Sequence, residues 1–316
     1  MSSLRRTLFL LISILFIACL SVPAMAQIIT PQPSQKASVM QRIGVTDVTI
    51  TYSRPAVKGR KIWGDPTAAQ AATQGEATLD NQNERPKDAA IVPWGHVWRT
   101  GANDATTFTV TDDVLINGQK LPAGTYSLHT IPTKDEWTIV FNGTANQWGS
   151  FNYEASKDTL RVKTKAVTEA ASQEFMGFTI DPDGPSTARV NLRWERLRVP
   201  FTVEVADVAA TTLAKIKATV ASAKPDDWRT AMQAGSYLIS TTDTSDDALG
   251  MSYIDQSIKV KETFQNLVAK SNALYKLGKK EEAFATGDRA VERGKADKAN
   301  TTNFEKRLAD MKAGKV

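Results

Sequence analysis

The hydrophobic period of the chain changes once, near Asp207, and this change limits the folds open to it. Before Asp207, apolar and polar residues alternate in short segments separated by turn residues, as on half-buried strands. After it, apolar residues recur at helical spacing. We therefore predict a segregated α+β protein, with an N-terminal antiparallel β-sandwich or barrel-like domain followed by a C-terminal α-helical region.

The densest turn signals lie between Pro93 and Pro132. Asn117-Gly118 stands between two apolar runs and predicts a tight hairpin, because both residues tolerate positive φ. Beyond a second turn, Tyr126, Leu128 and Thr130 alternate with polar residues and predict a half-buried strand. Pro200, within the last alternating run before Asp207, predicts an edge strand because proline cannot donate to a ladder.

The helical region contains an internal repeat of about one tetratricopeptide period. Its first copy is degenerate, and its second copy has Gly278 at the expected helix turn. The equivalent residues are Ser236, Ile239, Ala248 and Leu249 in the first copy, and Ser271, Leu274, Ala283 and Phe284 in the second. Such helices either present a groove to a protein partner or serve as a stabilising cap.

The first 26 residues have the pattern of a signal peptide. Arg5-Arg6 precede an apolar stretch, and Ala24-Met25-Ala26 forms a cleavage site. We expect an exported protein, periplasmic or extracellular, that starts at Gln27 and keeps no transmembrane span after cleavage. Lipid anchoring through Cys19 is the alternative. Since Cys19 is the sole cysteine, the chain cleaved after Ala26 can form no disulfide and no thiolate metal site.

Composition then divides the mature chain into four segments. Residues 27–37 are rich in proline and glutamine and predict a flexible leader. The β-domain is expected over residues 38–206 and the helical region over 207–316. Within the β-domain, residues 65–89 are nearly devoid of large apolar side chains and predict an inserted mobile loop.

Charge and motifs exclude several function classes. Subtracting Arg5 and Arg6 from the formal charge of +5 leaves +3, with no basic run, so nucleic acid is not an expected partner. The sequence lacks a phosphate loop, a G-x-G-x-x-G motif and a G-x-S-x-G elbow, and we predict no cofactor and no catalytic residue set. His96 and His129 lack the spacing of a known metal motif, so no metal site is predicted either.

Aromatic and polar residues around the W-R-T-G-A-N motif are the candidate ligand-binding residues. Tryptophan faces beside arginine and asparagine suit sugar rings or peptide segments, through stacking and directed hydrogen bonds. The alternative is structural: the tryptophans fill the core, and Arg99 bonds loop carbonyls. The candidates are Arg54, Trp98, Arg99, Asn103 and His129.

Four motifs in order resemble the family called domain of unknown function 2911. They are V-x-I-x-Y-x-R-P (Val48–Pro55), G-R-x-I-W-G (Gly59–Gly64), V-P-W-G-x-V-W-R-T-G-A-N-x-A-T (Val92–Thr106) and L-P-A-G-T-Y-S-L-x-T-I-P (Leu121–Pro132). The resemblance extends over about residues 35–205. It implies an exported bacterial β-domain, often followed by tetratricopeptide-like helices, and it implies no particular activity.

Three functions are compatible with these features. The favoured one is a non-enzymatic protein whose β-domain binds a small-molecule, glycan or peptide ligand, while the helical region assists assembly with a protein partner. The second is a secreted hydrolase acting on glycan or cell-wall material through carboxylates such as Asp104, Glu136 or Glu154. The third is a purely structural envelope protein.

Overall fold

The computed structural model describes residues 30–68 and 89–315. The predicted signal peptide and most of the predicted insertion, residues 69–88, lie outside the described residues. The described chain forms antiparallel sheets up to residue 204 and helices from residue 208 onward. The segregated α+β fold predicted from the change of period is therefore confirmed. The first strand begins at Gln35, inside the segment predicted as a leader.

One sheet has six antiparallel strands in the spatial order β1-β2-β5-β8-β9-β10. Val48, Ile50 and Tyr52 point into the core, and the intervening threonines point outward, as the alternation predicts. The strands are β1 (Gln35–Ile43), β2 (Thr46–Arg54), β5 (Thr107–Val110), β8 (Gly124–Ile131), β9 (Trp137–Asn142) and β10 (Asp158–Thr164).

The second sheet has the order β11-β12-β6-β7 and packs its inner face against the first. Phe108 and Phe141 of the first sheet have ring centroids 6.2 and 6.0 Å from that of Phe201 in the second. The strands are β6 (Val114–Ile116), β7 (Gln119–Leu121), β11 (Val167–Pro182) and β12 (Thr187–Glu204), and a short parallel pair joins β3 (Trp63–Gly64) to β4 (Val92–Pro93).

The predicted hairpin is present, whereas the predicted edge strand is not. Asn117 and Gly118, with φ of 47° and 80°, connect β6 to β7. Pro200 lies on β12, which is an inner strand between β11 and β6. The proline is tolerated because it falls between the two ladders: pairing with β11 extends to Arg198, and pairing with β6 starts at Val203.

Six helices follow the sandwich, and the two repeat copies form two helical hairpins. The helices are α1 (Val208–Ser222), α2 (Trp228–Ser240), α3 (Asp247–Val260), α4 (Phe264–Lys276), α5 (Lys280–Ala296) and α6 (Thr302–Lys312). Gly278 turns the chain between α4 and α5 with φ of 78°. None of the helices within the described ranges is both long and apolar enough to cross a membrane.

Helix α1 is fixed to the sandwich by one charged contact and one close apolar contact. Lys215 Nζ lies 2.6 Å from Asp112 Oδ2 and also donates to the carbonyl of Val45. Val208 lies over Gly44, where a Cβ would come within 2.6 Å of the valine side chain. The helical region is therefore attached at the turn between β1 and β2 and at the turn between β5 and β6.

Candidate functional site

A cleft of about 450 Å³ opens on the outer face of the six-stranded sheet. This volume lies within the range of small-molecule sites, about 300–1,000 Å³. Its floor consists of outward-facing side chains of β2 and β5, including Thr51, Ser53 and Thr107. These positions alternate with buried core residues, so the sandwich itself holds the floor rigid.

Two loops form the walls of the cleft and pair with each other. We call residues 98–106 the first loop and residues 143–157 the second loop. Asp104 and Trp148 form an isolated antiparallel bridge. Ala105 N donates to Gln147 O at 3.0 Å, and Gly149 N donates to Asn103 O at 2.9 Å. The first loop contains the W-R-T-G-A-N motif, so this motif supports one wall.

The first loop is held in a strained shape by its own hydrogen bonds. Thr100 has φ of 54°, an uncommon conformation for a β-branched residue. Its hydroxyl, which has one hydrogen to donate, lies 3.2 Å from both Trp98 O and Thr130 Oγ1. Its carbonyl accepts from Thr106 Oγ1 at 2.7 Å. Backbone strain of this kind costs about 1–3 kcal/mol and clusters at functional sites.

Gln147 places a buried amide group in the wall of the cleft. Its side chain is 7% exposed and lines the cleft. The Nε2 group donates to Thr144 O at 2.9 Å and to Ser127 Oγ at 3.3 Å. The Oε1 atom has no hydrogen-bond partner among the described residues. A buried amide oxygen in this state costs about 1–3 kcal/mol.

The rim of the cleft carries one aromatic ring and one pair of opposite charges. Trp148 is 54% exposed, which is unusual for so large an apolar side chain. Lys36 Nζ and Asp104 Oδ2 lie 4.0 Å apart, and both side chains are more than half exposed. An exposed pair at this distance contributes little to stability, so both groups remain available to a ligand.

The second loop is anchored by a polar cluster at its C-terminal end. Tyr153 donates its hydroxyl hydrogen to Asp158 Oδ2 at 2.9 Å, and Arg161 donates to both residues. Asn142 Nδ2 donates to Asp158 Oδ1 at 2.8 Å. Burial, and then the hydrogen bond to Asp158, raise the pKa of Tyr153 above its ordinary value. The cluster holds the base of the loop, and Trp148 lies at its tip.

Replacing Tyr153 with phenylalanine is expected to lower the free energy of unfolding by about 1–3 kcal/mol, because the hydrogen bond donated to Asp158 and the one accepted from Arg161 are both lost. The raised pKa makes the phenol keep its proton in the folded protein, while the unfolded chain releases it near pH 10. The stabilisation is thus complete below pH 10 and is lost as the pH rises further.

Urea unfolding of both proteins from pH 7 to 11 tests this expectation. The difference between wild type and Tyr153→Phe should be constant up to about pH 10 and should shrink above it. Tyr237→Phe is the control, because Tyr237 on α2 is 49% exposed. A difference that grows with alkaline pH would contradict the assignment.

The structure places the five residues predicted from sequence around the cleft or beneath it, and none of them lines it. Trp98 is buried and stacks on Trp194 with ring centroids 5.7 Å apart. Arg99 donates to Asn103 O, and Asn103 Nδ2 donates to Ser34 O. These contacts hold the first loop in place without lining the cleft.

The remaining two predicted residues also have structural neighbours. Arg54 Nε donates to Met176 O at 2.9 Å, on the side of the sandwich where β11 approaches β2. His129 is fully buried on the outer face of β8, with its ring 5.0 Å from that of Tyr153. Their roles in ligand binding stay predictions. The contact of Arg54 is with β11, and that of His129 is with the second loop.

Apart from Asp104, which was named only as a carboxylate for hydrolysis, sequence reasoning missed the residues that line the cleft. Lys36, Thr51, Gln147 and Trp148 come from distant parts of the chain, and only the sheet order brings them together. The one local signal was the aromatic run W-G-S-F-N-Y at residues 148–153, whose pattern is typical of a loop.

The described residues contain no group of three or more histidine, cysteine or acidic side chains able to hold a metal ion. Two of the carboxylates considered for hydrolysis pair with different lysines rather than with each other's neighbours. Glu136 pairs with Lys163 at 3.3 Å, and Glu154 pairs with Lys157 at 2.7 Å. Within the described ranges, Asp104 is the single carboxylate that lines the cleft.

Comparison with known proteins gives one result. Searches of curated proteins and of solved structures find no significant match to this chain. A family model described as protein of unknown function (DUF2911) matches residues 34–203, which include the whole first sheet, the cleft and nearly all of β12. This match extends over more than half of the chain, and the protein therefore belongs to the DUF2911 family.

Proposed function

We propose that this protein is an exported, non-enzymatic binding protein whose β-domain holds a small polar ligand in the cleft. The observation that carries the proposal is the cleft itself, which has a volume of about 450 Å³ and is lined by polar side chains. The strained first loop and the exposed Trp148 support it. Both features cost stability or solubility in a protein that does not bind anything.

The composition of the cleft favours binding over hydrolysis. Glycoside hydrolysis by paired carboxylates requires two such groups about 5–10 Å apart. Asp104 has no second carboxylate beside it among the described lining residues. A purely structural role accounts for the sandwich core but gives no reason for a polar cleft beside an exposed tryptophan.

Export and an assembly role for the helices complete the proposal. Export rests on the signal-like pattern of residues 1–26. The assembly role rests on a second groove of about 450 Å³ between α2 and α4, which includes Asn272, Tyr275 and Arg307. Groove-forming helical hairpins of this type provide binding surfaces for other proteins.

A thermal-shift screen against glycans, cell-wall fragments, peptides and divalent metal ions tests the proposed function. A ligand at one hundred times its Kd adds about 2.7 kcal/mol to the free energy of unfolding. We expect Ala145→Trp to abolish the shift, because Ala145 lines the cleft and a tryptophan there fills it. Arg99→Ala should weaken the shift, because it loosens the first loop.

The melting temperatures of the unliganded variants provide the folding control. A hit that survives in Ala145→Trp would place the ligand elsewhere and would contradict the proposal for this cleft. Equal loss of melting temperature and ligand response in Arg99→Ala would mark Arg99 as structural only. Absence of any hit would favour a structural protein.

A further inference from the structure

We infer that the cleft accepts a neutral, ring-shaped polyhydroxylated molecule, a saccharide unit stacked on Trp148. This inference rests on the proposed function and specifies its ligand class. Three properties of the lining select that class: the kind of hydrogen-bonding groups, the balance of charge and the exposed aromatic face.

The polar groups in the cleft match hydroxyl-bearing ligands. Each hydroxyl of Thr51, Ser53 and Thr107 can donate one hydrogen bond and accept two. Sugar hydroxyls also donate and accept. A hydroxyl of the protein and a hydroxyl of the sugar can therefore form a hydrogen bond with either one as the donor, because each O–H group rotates.

The charges that line the cleft cancel. Within the described part of the chain, Lys36 and Asp104 are the cation and the anion that line the cleft, and their charged atoms lie 4.0 Å apart. A ligand with a phosphate or carboxylate is attracted by Lys36 but is repelled by Asp104 at the same place. A cationic ligand is attracted by Asp104 and repelled by Lys36. A neutral ligand uses both as hydrogen-bonding groups, one as donor and the other as acceptor.

Trp148 offers a free aromatic face at the rim. It is 54% exposed and lies in no ring-to-ring contact with the described residues. The C–H face of a pyranose is apolar and flat, while its edges carry hydroxyls, so one ring can satisfy the indole and the floor at once. An extended peptide fits less well, because β2 and β5 already pair on both sides and offer the floor no free backbone edge.

Isothermal titration of the purified protein tests the inference with named probes. The neutral probes are cellotriose, xylotriose and triacetylchitotriose; glucose 6-phosphate and trialanine represent charged and peptide ligands. We expect at least one neutral trisaccharide to bind. Trp148→Ala should weaken that binding about tenfold or more, and Trp148→Phe should retain part of it.

Phe151→Ala is the matched control. Phe151 lies on the same loop and is 50% exposed, but it does not line the cleft. Binding should therefore be unchanged in this variant. Equal loss in the two alanine variants would mean that loop order, rather than stacking on Trp148, supports binding, and it would overturn the inference.

The outcomes separate the ligand class from the site. If glucose 6-phosphate or trialanine binds and Trp148→Ala abolishes it, while no neutral sugar binds, the cleft is a site and the saccharide class is wrong. If a trisaccharide binds equally well to Trp148→Ala and Ala145→Trp, the site lies elsewhere, and both proposals are wrong for this cleft. If no probe binds at millimolar concentration, the saccharide class is likewise rejected, and the broader screen alone decides the proposed function.

Discussion

Replacing Trp194 with alanine is expected to lower the free energy of unfolding of the β-domain by about 3–5 kcal/mol, the largest single effect we predict. Trp194 is 1% exposed and belongs to a tryptophan cluster, which we define as Trp63, Trp94, Trp98, Trp137 and Trp194. Its ring stacks on Trp98 and meets Trp63 edge to face at 5.6 Å. The substitution removes these contacts and leaves a cavity between the sheets.

Replacing Trp194 should also change the position of the first loop, which forms one wall of the cleft. Trp98 begins the first loop, and its indole nitrogen donates to Gly101 O at 3.1 Å within the same loop. Without the ring of Trp194 beneath it, Trp98 has room to shift, and the first loop with it. The amide of Trp98 donates to Thr130 O at 2.8 Å, and the amide of Thr130 donates to Trp98 O at 2.9 Å. We expect hydrogen exchange at both amides to become faster.

Denaturant unfolding measures the energy, and hydrogen exchange measures the loop. Trp148→Ala is the matched control, because it removes an exposed tryptophan and should change stability by no more than about 0.5 kcal/mol. Similar losses in the two variants would show that Trp194 is not a core residue in solution. Unchanged exchange at Trp98 would show that the loop is independent of the cluster.

Gly235→Ala is expected to destabilise the helical region by about 1–3 kcal/mol, although alanine is the better helix former. In an open helix the same change would stabilise by about 1 kcal/mol. Here an added Cβ would lie 2.3 Å from Gly250 O and 2.7 Å from Ile254 Cγ1. Helices α2 and α3 would have to separate, because a backbone carbonyl cannot move aside alone.

The sign of the Gly235 effect makes this experiment decisive. Thermal unfolding followed by helical circular dichroism should show a lower melting temperature for Gly235→Ala. Gln233→Ala, at an exposed position on the same helix, should be nearly neutral. A higher melting temperature for Gly235→Ala would show that the two helices lie further apart in solution than the structure places them.

Local sequence patterns predicted the elements of the fold well, for physical reasons. A two-residue hairpin requires positive φ values, which Asn117 and Gly118 have, and the Asn-Gly pair therefore predicts the turn. Strand β9 places Trp137, Ile139 and Phe141 in the core, as its alternation predicts. Gly278 likewise marks the turn between α4 and α5 because its conformation is left-handed.

The candidate site was harder to predict because it depends on contacts between distant segments. His129 lies on the outer face of β8, and alternation predicts partial exposure there, yet the second loop covers it completely. The W-R-T-G-A-N motif was correctly assigned to a loop. Its Trp98 and Arg99 side chains, however, donate hydrogen bonds to carbonyl groups of the same loop. The next residue after the motif, Asp104, lines the cleft. No local pattern distinguishes a residue that supports a wall from one that lines it.

The unequal burial of the tryptophans gives the protein an intrinsic optical reporter. The chain has seven tryptophans, and Trp148 is the one among them that is more than half exposed. A dissolved quencher such as acrylamide should therefore act mainly on Trp148 and leave the buried cluster emitting at shorter wavelengths. Occupation of the cleft would shield this indole, so that the quenchable fraction of the fluorescence reports binding without any label.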